Sequence, residues 1–226
     1  MRKCFLAFTV LASLVAAAQG KREKQGFCGV SYTNLKMLKE QLAEQFEFLK
    51  VQEHDTIVDV GAASGWYEGA FGAGSGINEL HFVLVDLDTT CMNKKKVEAA
   101  MRHYSEVKGS PISYTFDLVH NSPDSLWLPL RSYKKLWLLN MLHEVPDQDR
   151  MVRGIRSILQ PGGEVVLLEI IPKKKGQLHG GCKKPLMEPE ACTALFERNG
   201  FQQKDAVRLK KVKRHIDFSM MRFINP

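Results

Sequence analysis

The sequence predicts an α/β fold, a doubly wound and mostly parallel sheet closed by a terminal antiparallel hairpin. Three observations predict it. Short β-branched apolar runs alternate with helical or loop segments along most of the chain, the pattern of parallel strands covered by helices on both faces. The last two runs, KDAVRLKKV and HIDFSMMRF, alternate apolar with polar and have no helix between them, which suits an antiparallel pair. The composition, 226 residues with 44% hydrophobic and 25% charged, fits one folded domain, with no low-complexity linker and no repeat.

Residues 1–20, MRKCFLAFTVLASLVAAAQG, begin with Arg2 and Lys3, continue as an apolar run from Cys4 to Ala18 and end in small residues. That order is the pattern of a secretory signal peptide. The run is shorter than the ~20 residues that span a bilayer, and nothing later is apolar over such a length. The expectation is a signal peptide over 1–20 released after Ala18 or Gly20, one domain over 21–226, no stable membrane span, and a periplasmic or secreted location.

Leu35, Leu38, Leu42, Phe46 and Leu49 form a stripe at helical spacing, which predicts an amphipathic helix over 31–50 with Ser31 and Thr33 as caps. TIVDVG then reads as a buried strand ending at Gly61. Further strands are predicted at LHFVLVD from Leu80, ISYTFD from Ile112, LWLLN from Leu136 and EVVLLEII from Glu164. The helices between them are Cys91 to Tyr104, Asp147 to Leu159 and Glu188 to Asn199. Pro161-Gly162-Gly163 and Asn199-Gly200 stop the last two.

An exporting cell would let cysteines pair. Cys28, Cys91, Cys182 and Cys192 remain after cleavage, none in a C-x-x-C and none in a Cys/His cluster with zinc spacing. Cys182 and Cys192 are nearest in sequence, but four cysteines allow three connectivities and the choice stays open, as does the alternative of unpaired thiols. The net charge of +7 is a mild bias. Its short lysine runs lack the interleaved aromatics of a single-strand groove, so no nucleic acid is expected.

In an open α/β sheet the ligand lies beyond the carboxyl ends of the strands. Those ends are rich in polar groups: Asp59 to Tyr67, Asp86-Leu87-Asp88, Asp117-Leu118, Asn140 to Glu144, and Glu169. Gly61 and Gly65 let backbone approach a ligand closely. The turn is not G-x-G-x-x-G, which disfavours a dinucleotide. Asp86, at the end of the second strand, suits the two hydroxyls of a ribose, whereas Asp88 reads as a helix cap.

TIVDVGAASGWY, VLVDLD, YTFDL, LWLLNMLHEVPDQDRMVRGIRSILQPGGEVVLLE and PLMEPEACTALFERNGF, in this order, resemble the class I S-adenosylmethionine-dependent methyltransferases. The resemblance covers about Ser31 to the end. It implies a seven-stranded sheet with a reversed last strand and S-adenosyl-L-methionine as cofactor. Asp59 would begin the cofactor turn, with Gly61 and Gly65 beside the aminoacyl part and Ala63 where the family often has glycine. Asp86, with Leu87 beside it, would hold the ribose. Asp117 and Leu118 would meet the adenine, and Asn140 would face the sulfonium and the acceptor.

The resemblance therefore implies an exported methyltransferase. The competing reading is a non-catalytic nucleoside- or partner-binding module on the same fold. The acceptor, a small molecule, a lipid or a protein group, is not legible. His143 together with Asn140 is expected at the catalytic edge, with Glu144 and His179 as further candidate bases. Metal-dependent relatives carry acids where this chain has Asn140 and Met141, so no metal is expected.

Overall fold

The computed structural model describes residues 26–123, 125–211 and 216–226. The expected signal peptide lies outside the described residues. The elements are α1 (Leu35–Leu49), β1 (Thr56–Val60), α2 (Trp66–Gly74), β2 (His81–Asp86), α3 (Lys94–Lys108), β3 (Thr115–His120), β4 (Tyr133–Leu139), a 3-10 turn (Leu142–Glu144), α4 (Gln148–Ile158), β5 (Leu159–Ile170), α5 (Pro189–Arg198), β6 (Gln202–Lys211) and β7 (Ile216–Ile224). They form a seven-stranded sheet of order β3-β2-β1-β4-β5-β7-β6. Strands β1 to β5 pair in parallel, and β7 runs antiparallel to both β5 and β6. The doubly wound sheet with its terminal hairpin is thus the observed fold.

Alternation along the strands sorts side chains to two cores. Ile57, Phe82, Leu84, Trp137, Val166 and Leu168 face α1, α2 and α3. Val58, Val60, Val83, Leu136, Leu138 and Val165 face α4 and α5. Burying a large apolar side chain stabilises by about 1.5–3 kcal/mol. The stripe Leu38, Leu42, Phe46 and Leu49 therefore outweighs the cap of α1, worth about 1 kcal/mol.

Several boundaries differ from the sequence reading. Helix α1 starts at Leu35 because Asn34, rather than Ser31 or Thr33, accepts from the N–H of Met37. Helix α3 starts after Asn93, which accepts from the N–H of Lys96. Pro161-Gly162-Gly163 lie within β5: the register with β4 jumps from Tyr133↔Leu159 to Lys135↔Glu164, so they bulge out of the ladder. Strand β3 starts three residues later than Ile112 and runs on to His120, which moves Asp117 from the strand's end to its middle. Among the described residues, no helix is long and apolar enough to cross a membrane.

Candidate active site

The strand order reverses at β1, which has β2 on one side and β4 on the other, so the ligand crevice lies at the carboxyl ends of β1 and β4. The turn after β1 is built from left-handed residues: Gly61 at φ +84, Ala63 at φ +51 and Gly65 at φ +70. A Cβ on Gly61 would sit 2.8 Å from the side chain of Met141. The two strand tips therefore approach closely enough to demand glycine there. Ala63 is an L-residue in the region that favours glycine.

Asp86 locks this turn. Its Oδ2 accepts the N–H of Ala63 at 2.8 Å, and its Oδ1 accepts the N–H of Asp88 at 2.9 Å. Each oxygen keeps a further lone pair for a ligand hydroxyl. Asp88 instead accepts from the hydroxyl and N–H of Thr90 and from the N–H of Cys91, which holds its carboxyl below the usual range; it closes the turn before α3, whose cap is Asn93, so the helix cap expected at Asp88 is not found there. Leu87, between them, is 56% exposed.

Beneath the turn lie two buried acids with no basic partner among the described residues. Asp59, in β1, and Glu68, in the first turn of α2, are 2% and 0% exposed. Asp59 Oδ1 and both oxygens of Glu68 lack a hydrogen-bond partner. Burial, then the charge of Glu68, pushes the Asp59 carboxyl well up; burial also raises Glu68. Two carboxylates cannot donate to one another, so a proton held between them is the stable arrangement. At the tip of β4, Asn140 takes φ +61, and its buried Oδ1 is also unpartnered. One shared proton leaves the buried acid pair a net negative charge beneath the crevice, and with the unpartnered Oδ1 of Asn140 this favours a cation.

The amino-terminal segment covers one side of this turn. The hydroxyl of Ser64 donates to the carbonyl of Cys28. Gly29 packs so tightly on Trp66 that a Cβ would come within 2.1 Å of the indole. Cys28 is disulfide-bonded to Cys91, just past Asp86 and Asp88, while Cys182 and Cys192 are free thiols. The pair nearest in sequence is not the pair that forms.

Two expected site residues lie elsewhere. Asp117 sits mid-strand on the sheet edge, 3.2 Å from Nε2 of His81, and Leu118 packs into the core. The residue opposite Asp86 in register is His120, so the tip of β3 is His120-Asn121. Asn121 was missed. Its Oδ1 accepts from Trp127, and its buried Nδ2 has no partner.

His143 is also placed differently from an open catalytic edge. Its side chain is fully buried, Nδ1 lies 2.7 Å from Glu169 Oε2, and the His179 ring stands 4.7 Å away, edge-on. Glu169 Oε1 also accepts the N–H of Leu142 at 2.8 Å. Burial alone would lower the His143 pKa; the hydrogen bond and charge of Glu169, with Glu144 behind, outweigh it and hold it above the ordinary imidazole value. Burial and the neighbouring His143 lower that of His179.

Solved structures with this topology decide the fold. The [4+2]-cyclase SpnF is similar with a TM-score of 0.63 at 14% identity, over 88% of this chain and 86% of that one. The chain has the class I methyltransferase fold. A SAM-dependent methyltransferase from Aquifex aeolicus is similar with a TM-score of 0.58 at 14% identity, over 84% of this chain and 96% of that one. Haemonchus contortus phosphoethanolamine N-methyltransferase 2, in complex with phosphomonomethylethanolamine and S-adenosylhomocysteine, gives 0.57 at 15% identity, over 83% and 52%. No family model matches. A curated relative, the polyketide synthase component of lovastatin nonaketide synthase from Aspergillus terreus, is 27% identical over 103 residues, 39% of this chain. The chain spans 3% of that relative's length. SpnF carries a cyclase on the methyltransferase fold, so the fold alone does not fix the reaction.

Proposed function

We propose that the protein is an exported enzyme that transfers a methyl group from S-adenosylmethionine to a small-molecule, lipid or protein acceptor. The observation that carries this reading is the negative charge left on the buried Asp59–Glu68 pair beneath the Gly61–Gly65 turn, together with the unpartnered Oδ1 of Asn140. A ligand with positive charge offsets them, and S-adenosylmethionine supplies a methyl group on a positively charged sulfur. A solved neighbour with this fold, in complex with S-adenosylhomocysteine, supports the choice.

In this reading Asp59 and Glu68 set the negative potential under the turn. Gly61, Ala63 and Gly65 bring backbone against the aminoacyl part. Asp86 accepts the ribose hydroxyls, Leu87 lies against the nucleoside, and Asn121 replaces Asp117 at the adenine. Asn140 faces the transferred methyl. Displacement at an activated carbon needs mainly alignment of the acceptor, so the burial of His143 does not stand against it. Export rests on the 1–20 pattern and is supported by the Cys28–Cys91 disulfide, a bond of oxidising compartments.

Calorimetric titration with S-adenosylhomocysteine, followed by incubation of host extract with methyl-tritiated cofactor, tests the reading. Binding with transfer of label to one acceptor is expected. No binding sinks the proposal, and binding without transfer supports the non-catalytic module instead. A mature chain that retains Met1 would sink the export.

A further inference from the structure

We propose that His143, Glu144, His179 and Cys182 form a closed tetrahedral site for a divalent cation of the zinc type, which staples the loop between β5 and α5 to the tip of β4. This goes beyond methyl transfer, and it runs against the sequence expectation of no metal, which found neither acids at Asn140 and Met141 nor a Cys/His cluster with zinc spacing. One ligand atom from each of the four residues lies within 4.8 Å of every other. Among the described residues this is the one such group.

Two observations single it out from a chance cluster. His143 Nε2 is buried without a hydrogen-bond partner, and it points to Glu144 Oε1 at 3.7 Å. Its other nitrogen, Nδ1, is held by Glu169 at 2.7 Å. A carboxylate on the far nitrogen of a ligating histidine fixes the ring and leaves Nε2 for the metal.

The other two ligands come from a tight hairpin. The N–H of His179 donates to the Lys184 carbonyl at 2.8 Å, the N–H of Lys183 returns to the His179 carbonyl at 3.2 Å, and Leu178 bridges Pro185. Gly180-Gly181 make the turn. His179 Nδ1 and Cys182 Sγ then lie 3.1 Å apart on one side of it. The spacing H-x-x-C does the work of the C-x-x-C knuckle in structural zinc sites.

Two imidazoles, a thiolate and a carboxylate suit zinc and disfavour magnesium or calcium, which demand oxygen. Metal bonds of about 2.0–2.3 Å bring tetrahedral ligand atoms to roughly 3.3–3.8 Å from one another. Closure therefore asks for about 1 Å, within reach of the partly exposed His179, Cys182 and Glu144 side chains. Binding releases the Cys182 thiol proton to solvent. The thiolate and Glu144 then balance the dication.

The test uses the full chain in anaerobic buffer without reductant. Zinc is titrated against a chromophoric chelator, and cobalt is added separately as a spectroscopic probe. We expect one zinc per chain, tetrahedral cobalt bands with a thiolate charge-transfer band, and a thermal midpoint that rises with zinc and returns on chelation. Cys182→Ser should abolish the charge-transfer band, and both it and His179→Ala should weaken zinc at least ~10-fold. Cys192→Ser should leave all readouts as in the parent. Absence of stoichiometric uptake overturns the proposal. So does a charge-transfer band or an undiminished affinity that survives Cys182→Ser in protein with parental circular dichroism.

Discussion

The backbone N–H of Ala63 donates to Oδ2 of Asp86 across 2.8 Å. The carboxylate proposed to hold a ribose therefore also holds the turn proposed to meet the aminoacyl group. The two halves of the crevice are mechanically coupled.

Asp86→Ala removes charge-assisted contacts worth about 1.5–3 kcal/mol each to a ligand. Affinity for S-adenosylhomocysteine should fall at least ~10-fold by calorimetry. Parental affinity in folded protein would make Asp86 a purely structural clamp.

Ala63→Gly should stabilise the protein. At φ +51 the alanine carries a left-handed penalty of about 1–2 kcal/mol, larger than the roughly 0.5–1 kcal/mol by which glycine favours the unfolded chain. A thermal midpoint raised by a few degrees is expected. An unchanged or lower midpoint would show that the methyl makes a compensating contact.

The contribution of the buried Asp59–Glu68 pair to stability should fall as pH rises from acid. Asp59 and Glu68 have pKa values raised above their ordinary 3.8 and 4.5, so the native state binds more protons than the unfolded chain. That contribution declines from about pH 4 upward until the native values are passed, against the opposite trend from Asp88 and Asp149, whose carboxyls are held below the usual range. In metal-free protein His143, raised above 6.5, adds the same sign: its contribution is full below that value and is lost as pH climbs through the native one. Glu68→Gln should flatten the acidic part of the curve, measured by urea unfolding at a series of pH values. An equally steep slope in the variant would contradict the shared proton.

Reduction should cost stability even with the crevice intact. The Cys28–Cys91 bridge closes 63 residues, a loop for which cross-linking is worth roughly 2–4 kcal/mol. Non-reduced peptide mapping should join Cys28 to Cys91. Alkylation should then mark Cys182 before Cys192, whose thiol burial pushes up to about 12. A Cys182–Cys192 peptide would refute the pairing.

The sheet was legible because each buried strand holds a short apolar run that ends at a glycine or a polar residue, and TIVDVG and VLVD placed Asp59, Gly61, Gly65 and Asp86 at the crevice. Strand β3 failed this test. It is an edge strand with polar and half-buried positions, so nothing in YTFDLVHN marks where it stops, and Asp117 was read as the tip in place of Asn121. The cysteine pairing and the His143–Cys182 group were out of reach for another reason. Both join elements distant in sequence, and only the packing of the amino-terminal segment on Trp66, and of the β5–α5 loop on β4, brings them together.

The disulfide also changes what proteolysis can do. Strands β1 and β2, helix α2 and the whole Gly61–Gly65 turn lie inside the covalent ring that it closes. A single cut in the exposed stretch around Gly76 would leave both fragments joined in one molecule. The crevice residues from Asp59 to Asp86 would then be nicked without being shed, a property that suits the exported location proposed above.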